Sequence, residues 1–165
     1  MLNELSYTLG SRAYLMARAA TLAPRPCKLY ASSRVPDKYA LFDFSGQRSQ
    51  FAAPIRLKPI TAVGSDEFRG LLSYQSFSFG RKDRKMLRQW ASELLATTAK
   101  TTPAFLTGYL TRRKDDAGTL VLLTWWQTPA ALEAWLNSSA AAPLRQYAHS
   151  DRRGQYFSDH YHLVE

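Results

Sequence analysis

The segment GTLVLLTWW, residues 118–126, constrains the fold of this chain more than any other stretch of the sequence. Successive side chains of a β-strand point to opposite faces of the sheet, so the adjacent Trp125 and Trp126 lie on different faces of this predicted strand. Both faces are apolar, whereas a sheet with one face in water alternates apolar and polar residues more cleanly. We therefore expect this sheet to be covered on both sides, by helices on one and by further strands on the other.

The second half of the chain predicts a regular order of elements around that strand. Apolar spacing and turn residues predict strands at 70–79, 104–113 and 155–164, helices at 81–99 and 129–137, and a further short helix at about 140–149. Together with 118–126, the strands and the two longer helices run β-α-β-β-α-β, the order of a ferredoxin-like unit. The sequence thus predicts an α+β fold.

The first 65 residues predict shorter elements separated by loops. Strands are expected at 5–10, 27–33 and 38–45 and a helix at 11–23, which gives a βαββ-like extension. The segment 51–64 carries Pro54 and Pro59, so any strand there is predicted to be short or at a sheet edge. We expect residues 1–65 to complete a barrel with a ferredoxin-like domain at 66–165. A homodimer that closes the same sheet face is the alternative.

The charge of the chain favours an anionic partner. Twenty-two Lys and Arg against thirteen Asp and Glu leave a formal net charge of +9, which suits nucleic acid, an anionic lipid surface or a small acidic ligand. A single cysteine, Cys27, excludes an intrachain disulfide and a cysteine-rich zinc site. There is no run of about 18 apolar residues that would predict a membrane span. The first residues lack a signal-peptide core, so a cytoplasmic location is expected.

Residues 70–164 resemble the antibiotic biosynthesis monooxygenase (ABM) superfamily of dimeric α+β barrels. The likeness rests on TGYLTRR (107–113), LVLLTWWQTPAALEAWLNS (120–138) and GQYFSDHYHLV (154–164). Within the superfamily, the chain is most similar to IsdG/HmoB-type haem-degrading monooxygenases and to the branch that includes the target of RNAIII-activating protein. The resemblance implies an enclosed pocket, haem as both cofactor and substrate, and oxidation by O2 with an external reductant.

The resemblance also implies a set of site residues. The family's pocket tryptophan corresponds to Trp126, which we expect on the inner face of the sheet. Its polar asparagine corresponds to Gln75, whose amide can donate a similar hydrogen bond. Its haem-ligating histidine falls on Arg145, and an arginine stays protonated and does not ligate iron. The nearest substitute ligand is His149, one helical turn later, while Arg145 could pair with a haem propionate.

Aromatic side chains are dense on the predicted strands, and Tyr74 and Phe77 are among them. About half of such a set belongs to any hydrophobic core. The other half would line a hollow inside the barrel that suits a flat apolar ligand, a small aromatic molecule or a porphyrin. Tyr74 and Phe77 are therefore candidates for contact with the cofactor.

Three other groupings have simpler explanations. His160 and His162 alternate on the last strand and could share a metal ion, yet no third ligand is evident. Asp115 and Asp116 fit a turn better than an acid–base pair. The segment RKDRKMLR, 81–88, is either a solvated basic face or a phosphate-binding one.

Two functions follow from these features. The first is a haem-degrading ABM monooxygenase in which Trp126 walls the pocket, Gln75 bonds the distal ligand and His149 holds the iron. The second is a non-catalytic regulatory or small-ligand-binding barrel that has lost the haem ligand, a view that Arg145 supports. A nucleic-acid binder, which rests on the charge alone, is third.

Overall fold

The computed structural model describes all 165 residues, which form eight strands and four helices. In chain order the elements are β1 (Leu5–Gly10), α1 (Arg12–Leu22), β2 (Cys27–Ser32), β3 (Tyr39–Asp43), β4 (Ile55–Gly64), β5 (Leu71–Phe79), α2 (Arg81–Thr101), β6 (Phe105–Arg113), β7 (Thr119–Trp126), α3 (Pro129–Leu136), α4 (Ala142–Arg145) and β8 (Gly154–Leu163). No helix is both long enough and apolar enough to span a membrane.

The eight strands close into one barrel in the order β1-β3-β2-β8-β5-β7-β6-β4, and β4 pairs with β1 to complete the circle. The later elements, from β5 to β8, form the predicted ferredoxin-like unit. Residues 1–65 supply β1 to β4, which are half of the strands. The strands that cover the second face of the sheet thus come from the same chain, and the predicted α+β barrel is confirmed.

The helices α2, α3 and α4 cover the outer face of the strands β5, β7 and β6. The longest of them, α2, buries one stripe that includes Leu87, Ala91, Leu94 and Leu95, at the spacing that an amphipathic helix requires. The next, α3, begins where the Thr128 hydroxyl accepts a hydrogen bond from the Ala131 backbone N–H at 3.2 Å, which satisfies one unpaired donor of the first turn.

The prediction of a short or edge strand near the two prolines is wrong. Strand β4 has 10 residues and pairs with both β1 and β6. A closed barrel has no edge strands, and the ladder with β6 shifts register between Pro59 and Thr61. Pro59 also lies beyond the residues that pair with β1, so its missing N–H group is tolerated.

The helix predicted at 140–149 is shorter than expected, because α4 covers only Ala142–Arg145. Beyond it, the N–H groups of Tyr147 and Ala148 donate to carbonyls three residues earlier, at Leu144 and Arg145. The chain therefore continues as tight turns, which carry it from α4 into β8.

The two adjacent tryptophans are fully buried on opposite faces of β7. Trp125 points into the barrel, where its Nε1 donates to the Tyr30 hydroxyl at 3.0 Å. Trp126 points to the helices, and its ring centroid lies 5.1 Å from that of Trp135. The prediction that Trp126 faces the interior is therefore wrong. Alternation separates the two rings, but strand pairing and the helical connections decide which face the helices cover.

The barrel interior is filled by its own side chains. A cluster of 16 buried residues occupies it, and many of them are aromatic. Phe44 and Phe68 stack with ring centroids 4.0 Å apart, and Phe68 lies 5.0 Å from Trp125. Five cavities elsewhere on the molecule are lined entirely by other residues. The predicted hollow inside the barrel is therefore absent, because rings from both halves of the chain interdigitate there.

Candidate functional site

An apolar cavity of about 220 Å³ lies on the outer face of the sheet, beneath the segment that joins α3 to α4. We call it the cleft cavity. Two of its residues come from the sheet and the others from the helical segment. The lining residues are Gln75, Trp135, Leu136, Asn137, Ala141, Leu144, Arg145, Ala148 and Tyr156.

Gln75 forms the polar part of the sheet wall. It lies on β5 and is 5% exposed, and its Oε1 accepts a hydrogen bond from the Tyr156 hydroxyl at 3.0 Å. The Tyr156 hydroxyl thus fixes the orientation of the amide, whose N–H groups are free to donate to a ligand. Burial raises the pKa of Tyr156, so this phenol stays protonated at neutral pH and keeps its role as donor.

Arg145 lies at the mouth of the cleft cavity and has no carboxylate partner. One guanidinium nitrogen donates to the carbonyls of Leu136, at 2.9 Å, and of Ser138. These carbonyls lie at and just past the C-terminal end of α3, where a cation is favourable. Arg145 therefore stabilises the turn over the cavity and brings a positive charge to its rim, with further N–H donors available.

Trp126, which faces the helices, does not reach the cleft cavity. Trp135 stands between Trp126 and the cavity, and its Nε1 donates to the Thr98 hydroxyl at 2.9 Å. Trp126 donates to the Thr124 hydroxyl at 2.9 Å and is 0% exposed. The aromatic wall that was predicted for Trp126 is supplied by Trp135.

The predicted iron ligand lies outside the cleft cavity. His149 is exposed, and its Nε2 lies 3.1 Å from a carboxylate oxygen of Asp151. The Nδ1 of His162 lies 3.4 Å from the Ser33 hydroxyl, and His160 lines a separate cavity. No three His, Cys, Asp or Glu side chains of the protein lie close enough to hold a metal ion together.

Tyr74 and Phe77 lie on opposite faces of β5. Tyr74 belongs to the barrel interior, where its hydroxyl is 2.6 Å from that of Tyr7. Phe77 faces the helices and packs against the ring of Tyr156, with centroids 5.1 Å apart. Neither side chain lines the cleft cavity, and an odd spacing along a strand never places two side chains in one pocket.

Of the predicted residues, the structure brings only Gln75 and Arg145 together at one cavity. Sequence reasoning missed Trp135, Asn137 and Tyr156 as site residues. The structure places Tyr156 there through strand pairing, because β8 pairs with β5 so that Tyr156 lies opposite Phe77, on the same face as Gln75. No local pattern in the sequence gives this register.

Comparison with known proteins agrees with this architecture. Residues 82–146 match the family model described as antibiotic biosynthesis monooxygenase. No curated protein matches the chain by sequence similarity.

Solved structures superpose on nearly the whole chain. A monooxygenase-like protein from Listeria innocua is 14% identical, with a TM-score of 0.82 over 98% of this chain and 94% of that chain. A haem-degrading enzyme from Listeria monocytogenes is 15% identical, with a TM-score of 0.78 over 98% and 99%. A major regulator of staphylococcal pathogenesis is 14% identical, with a TM-score of 0.79 over 98% and 99%. At these identities the likeness shows the fold, and the predicted resemblance to the ABM superfamily is confirmed.

Proposed function

We propose, from the premise that this chain is an ABM-type α+β barrel, that its cleft cavity binds a small, flat, largely apolar molecule with an anionic oxygen. The observation that carries this proposal is the convergence of Gln75 and Arg145 on one apolar cavity. Sites for small molecules are mostly apolar and contain a few placed polar groups.

Each wall of the cleft cavity has a separate role in this proposal. Trp135 and Leu144 offer apolar contact area for a ring. The amide of Gln75, oriented by Tyr156, donates a hydrogen bond to an oxygen of the ligand. Arg145 offers a positive charge at the rim, where a carboxylate, sulfonate or phenolate would form a charge-assisted hydrogen bond.

The residues present do not fit an iron-ligated haem. The cavity volume of about 220 Å³ is small for a porphyrin, which is a large and rigid macrocycle. The guanidinium of Arg145 provides hydrogen-bond donors and no acceptor that would ligate iron, and His149 is exposed beside Asp151. No carboxylate, histidine or cysteine lines the cavity, so no general base is available there. We therefore propose ligand binding and derive no oxidation step.

Anilinonaphthalene sulfonate is a suitable probe, because it joins a flat apolar ring system to one anionic group. We expect it to bind the protein at one site with a Kd on the order of 10–100 μM. The variant Arg145→Gln should weaken this binding roughly fivefold, through the loss of a charge-assisted contact at an exposed rim. Fluorescence titration measures both values.

The control ligand for this titration is anilinonaphthalene without the sulfonate group. Its affinity should be the same for the wild type and for Arg145→Gln, because it has no charge to pair. An equal loss for both ligands would mean that the substitution disturbs the turn after α3. An absence of saturable binding of the sulfonate would remove the proposed function.

Haem degradation is the alternative to ligand binding, and two observations make it worth a direct test. Gln75 and Arg145 line the same cavity. The resemblance assigns both positions to the haem site, and both can reach a ligand. One structural neighbour is a haem-degrading enzyme. Because no imidazole lines the cavity, we expect hemin to give no saturable Soret shift at micromolar protein. Ascorbate and O2 should leave its spectrum as it is in buffer.

Saturable hemin binding followed by reductant-dependent loss of the Soret band would reverse the order of the two candidates. Arg145→His is the informative variant for that outcome, because it returns an imidazole to the position of the family's ligand. A Soret shift in this variant, and none in the wild type, would show that the arginine is what separates the chain from haem chemistry.

A further inference from the structure

A second concave surface of about 350 Å³ lies between the first turns of α2 and the strands β4, β6 and β7. We call it the basic groove. It shares no lining residue with the cleft cavity. Its floor is apolar and includes Ile60 and Leu120, and its rim is cationic. The rim residues are Arg81, Arg84, Lys85, Arg88 and Arg112.

None of the five rim cations has a carboxylate partner. The ion pairs of the molecule all involve other residues. Two carboxylates lie near the rim without forming an ion pair with it: Asp83 accepts a hydrogen bond from the Tyr147 hydroxyl at 2.9 Å, and Asp116 accepts one from the Thr119 hydroxyl at 2.7 Å. The five cations outnumber these two carboxylates, so the groove has an excess of positive charge.

This arrangement opposes the stability of the elements that carry it. One face of α2 carries four cations whose like charges repel. They are Arg81, Arg84, Lys85 and Arg88. Arg81 and Arg84 also lie in the first turn of α2, at the positive end of its macrodipole, where Asp83 is the one acidic residue and the N-cap residue Gly80 has no side chain to accept a hydrogen bond.

The sheet side of the groove shows the same conflict. Arg112 on β6 lies directly opposite Lys58 on β4, and like charges at opposed positions of a ladder are unfavourable. An anion that enters the concavity relieves the repulsion on both walls, which favours an anion site over a purely solvated surface.

The shape of the groove indicates the class of anion. Single-stranded nucleic acid is held by aromatic side chains on which bases stack, and no aromatic residue lines this groove. The rim provides four arginines, whose planar guanidinium groups match phosphate oxygens in pairs. The apolar floor beneath them gives contact area to a small organic group, within a concavity of limited size.

We propose that the basic groove binds a small organic molecule that carries two or more phosphate groups. The phosphates bridge the arginines of α2 and Arg112 of β6, and the organic part covers Ile60 and Leu120. This site is independent of the ligand proposed for the cleft cavity.

Sodium tripolyphosphate is the probe, and calorimetric titration of the full chain is the measurement. We expect saturable binding at about 50 mM salt that weakens at about 300 mM, because exposed charges are screened. Orthophosphate should bind at least tenfold more weakly, since it reaches fewer arginines. The double variant Arg81→Gln/Arg88→Gln should lower the affinity for tripolyphosphate roughly tenfold.

The matched control removes the same net charge elsewhere. Arg12 lies in the first turn of α1 and Lys100 near the end of α2, and both are exposed and unpaired. The variant Arg12→Gln/Lys100→Gln should change the affinity by less than about twofold. Arg112→Gln tests the sheet wall alone and should also weaken binding. Thermal unfolding should show the groove variants at least as stable as the wild type, because repulsion is removed.

Three outcomes would overturn the proposal. An equal loss in the control variant would mean that net charge alone attracts the probe. Equal affinity for orthophosphate would mean that the groove does not bridge several phosphates. An oligonucleotide of about 12 nucleotides that binds more tightly than tripolyphosphate, and loses affinity in the same variants, would assign the surface to nucleic acid.

Discussion

Replacing Trp125 with alanine is expected to lower the free energy of unfolding by about 3–5 kcal/mol, the range for aromatic-to-alanine changes in a core. The indole is fully buried in the barrel, and its Nε1 donates to the Tyr30 hydroxyl. Its ring contacts those of Phe44 and Phe68. Small domains have a total stability of about 5–15 kcal/mol, so this single change removes a large share of it. Urea and thermal unfolding measure the loss.

Trp90→Ala is the matched control for this substitution. Trp90 lies half-buried on α2, with its ring centroid 6.1 Å from that of Tyr147. It should cost about 1–2 kcal/mol, because less apolar surface leaves water when it packs. A loss below about 1 kcal/mol for Trp125→Ala would contradict a packed interior and would restore the hollow barrel that the sequence predicted.

Replacing Ala148 with phenylalanine is expected to reduce the affinity for anilinonaphthalene sulfonate roughly 30-fold or more, which corresponds to about 2 kcal/mol. Ala148 is half-buried and lines the cleft cavity. A phenyl ring at this position occupies space that the probe needs, and a blocked site excludes its ligand by steric overlap. Because Ala148 lies in a turn after α4, the barrel has no need to rearrange around the new ring.

Ala134→Phe provides the matched control for this effect. Ala134 is exposed on α3 and lines a neighbouring cavity instead of the cleft cavity. This variant should bind the probe as the wild type does, and both variants should keep the melting temperature of the wild type within a few degrees. Undiminished binding by Ala148→Phe would show that the probe binds elsewhere and would end the assignment of the cleft cavity.

Residues of the candidate site could be predicted only where the residue type and its position in the sequence were sufficient by themselves. Gln75 and Arg145 are 70 positions apart, and the structure places both at the cleft cavity. Tyr74 and Phe77 could not share a pocket, because they differ by an odd number along β5. His149 was chosen by its distance from the expected ligand, but the chain leaves α4 at Arg145 and turns away. The direction of a side chain after a helix end depends on turns that no periodicity encodes.

The fold followed from the sequence where a periodic pattern decided it. The apolar character of both faces of 118–126 required two covers for the sheet, and the β-α-β-β-α-β order supplied one of them. Pro54, just before β4, and Pro59 within it misled the prediction, because a proline excludes an interior position only where its N–H would be needed. The register shift at Pro59 removes that need, and such a shift arises only when two strands are already paired.

The sequence by itself thus determined most of the elements, their order and the burial of both tryptophans, because local spacing fixes which side chains share a face. Only the tertiary structure decided which face of β7 the helices cover, and therefore that Trp125 fills the barrel while Trp126 lies beneath Trp135. The tertiary structure alone also decided where cavities remain. A cavity is the volume left after distant segments pack, and that remainder depends on contacts between residues far apart in the chain.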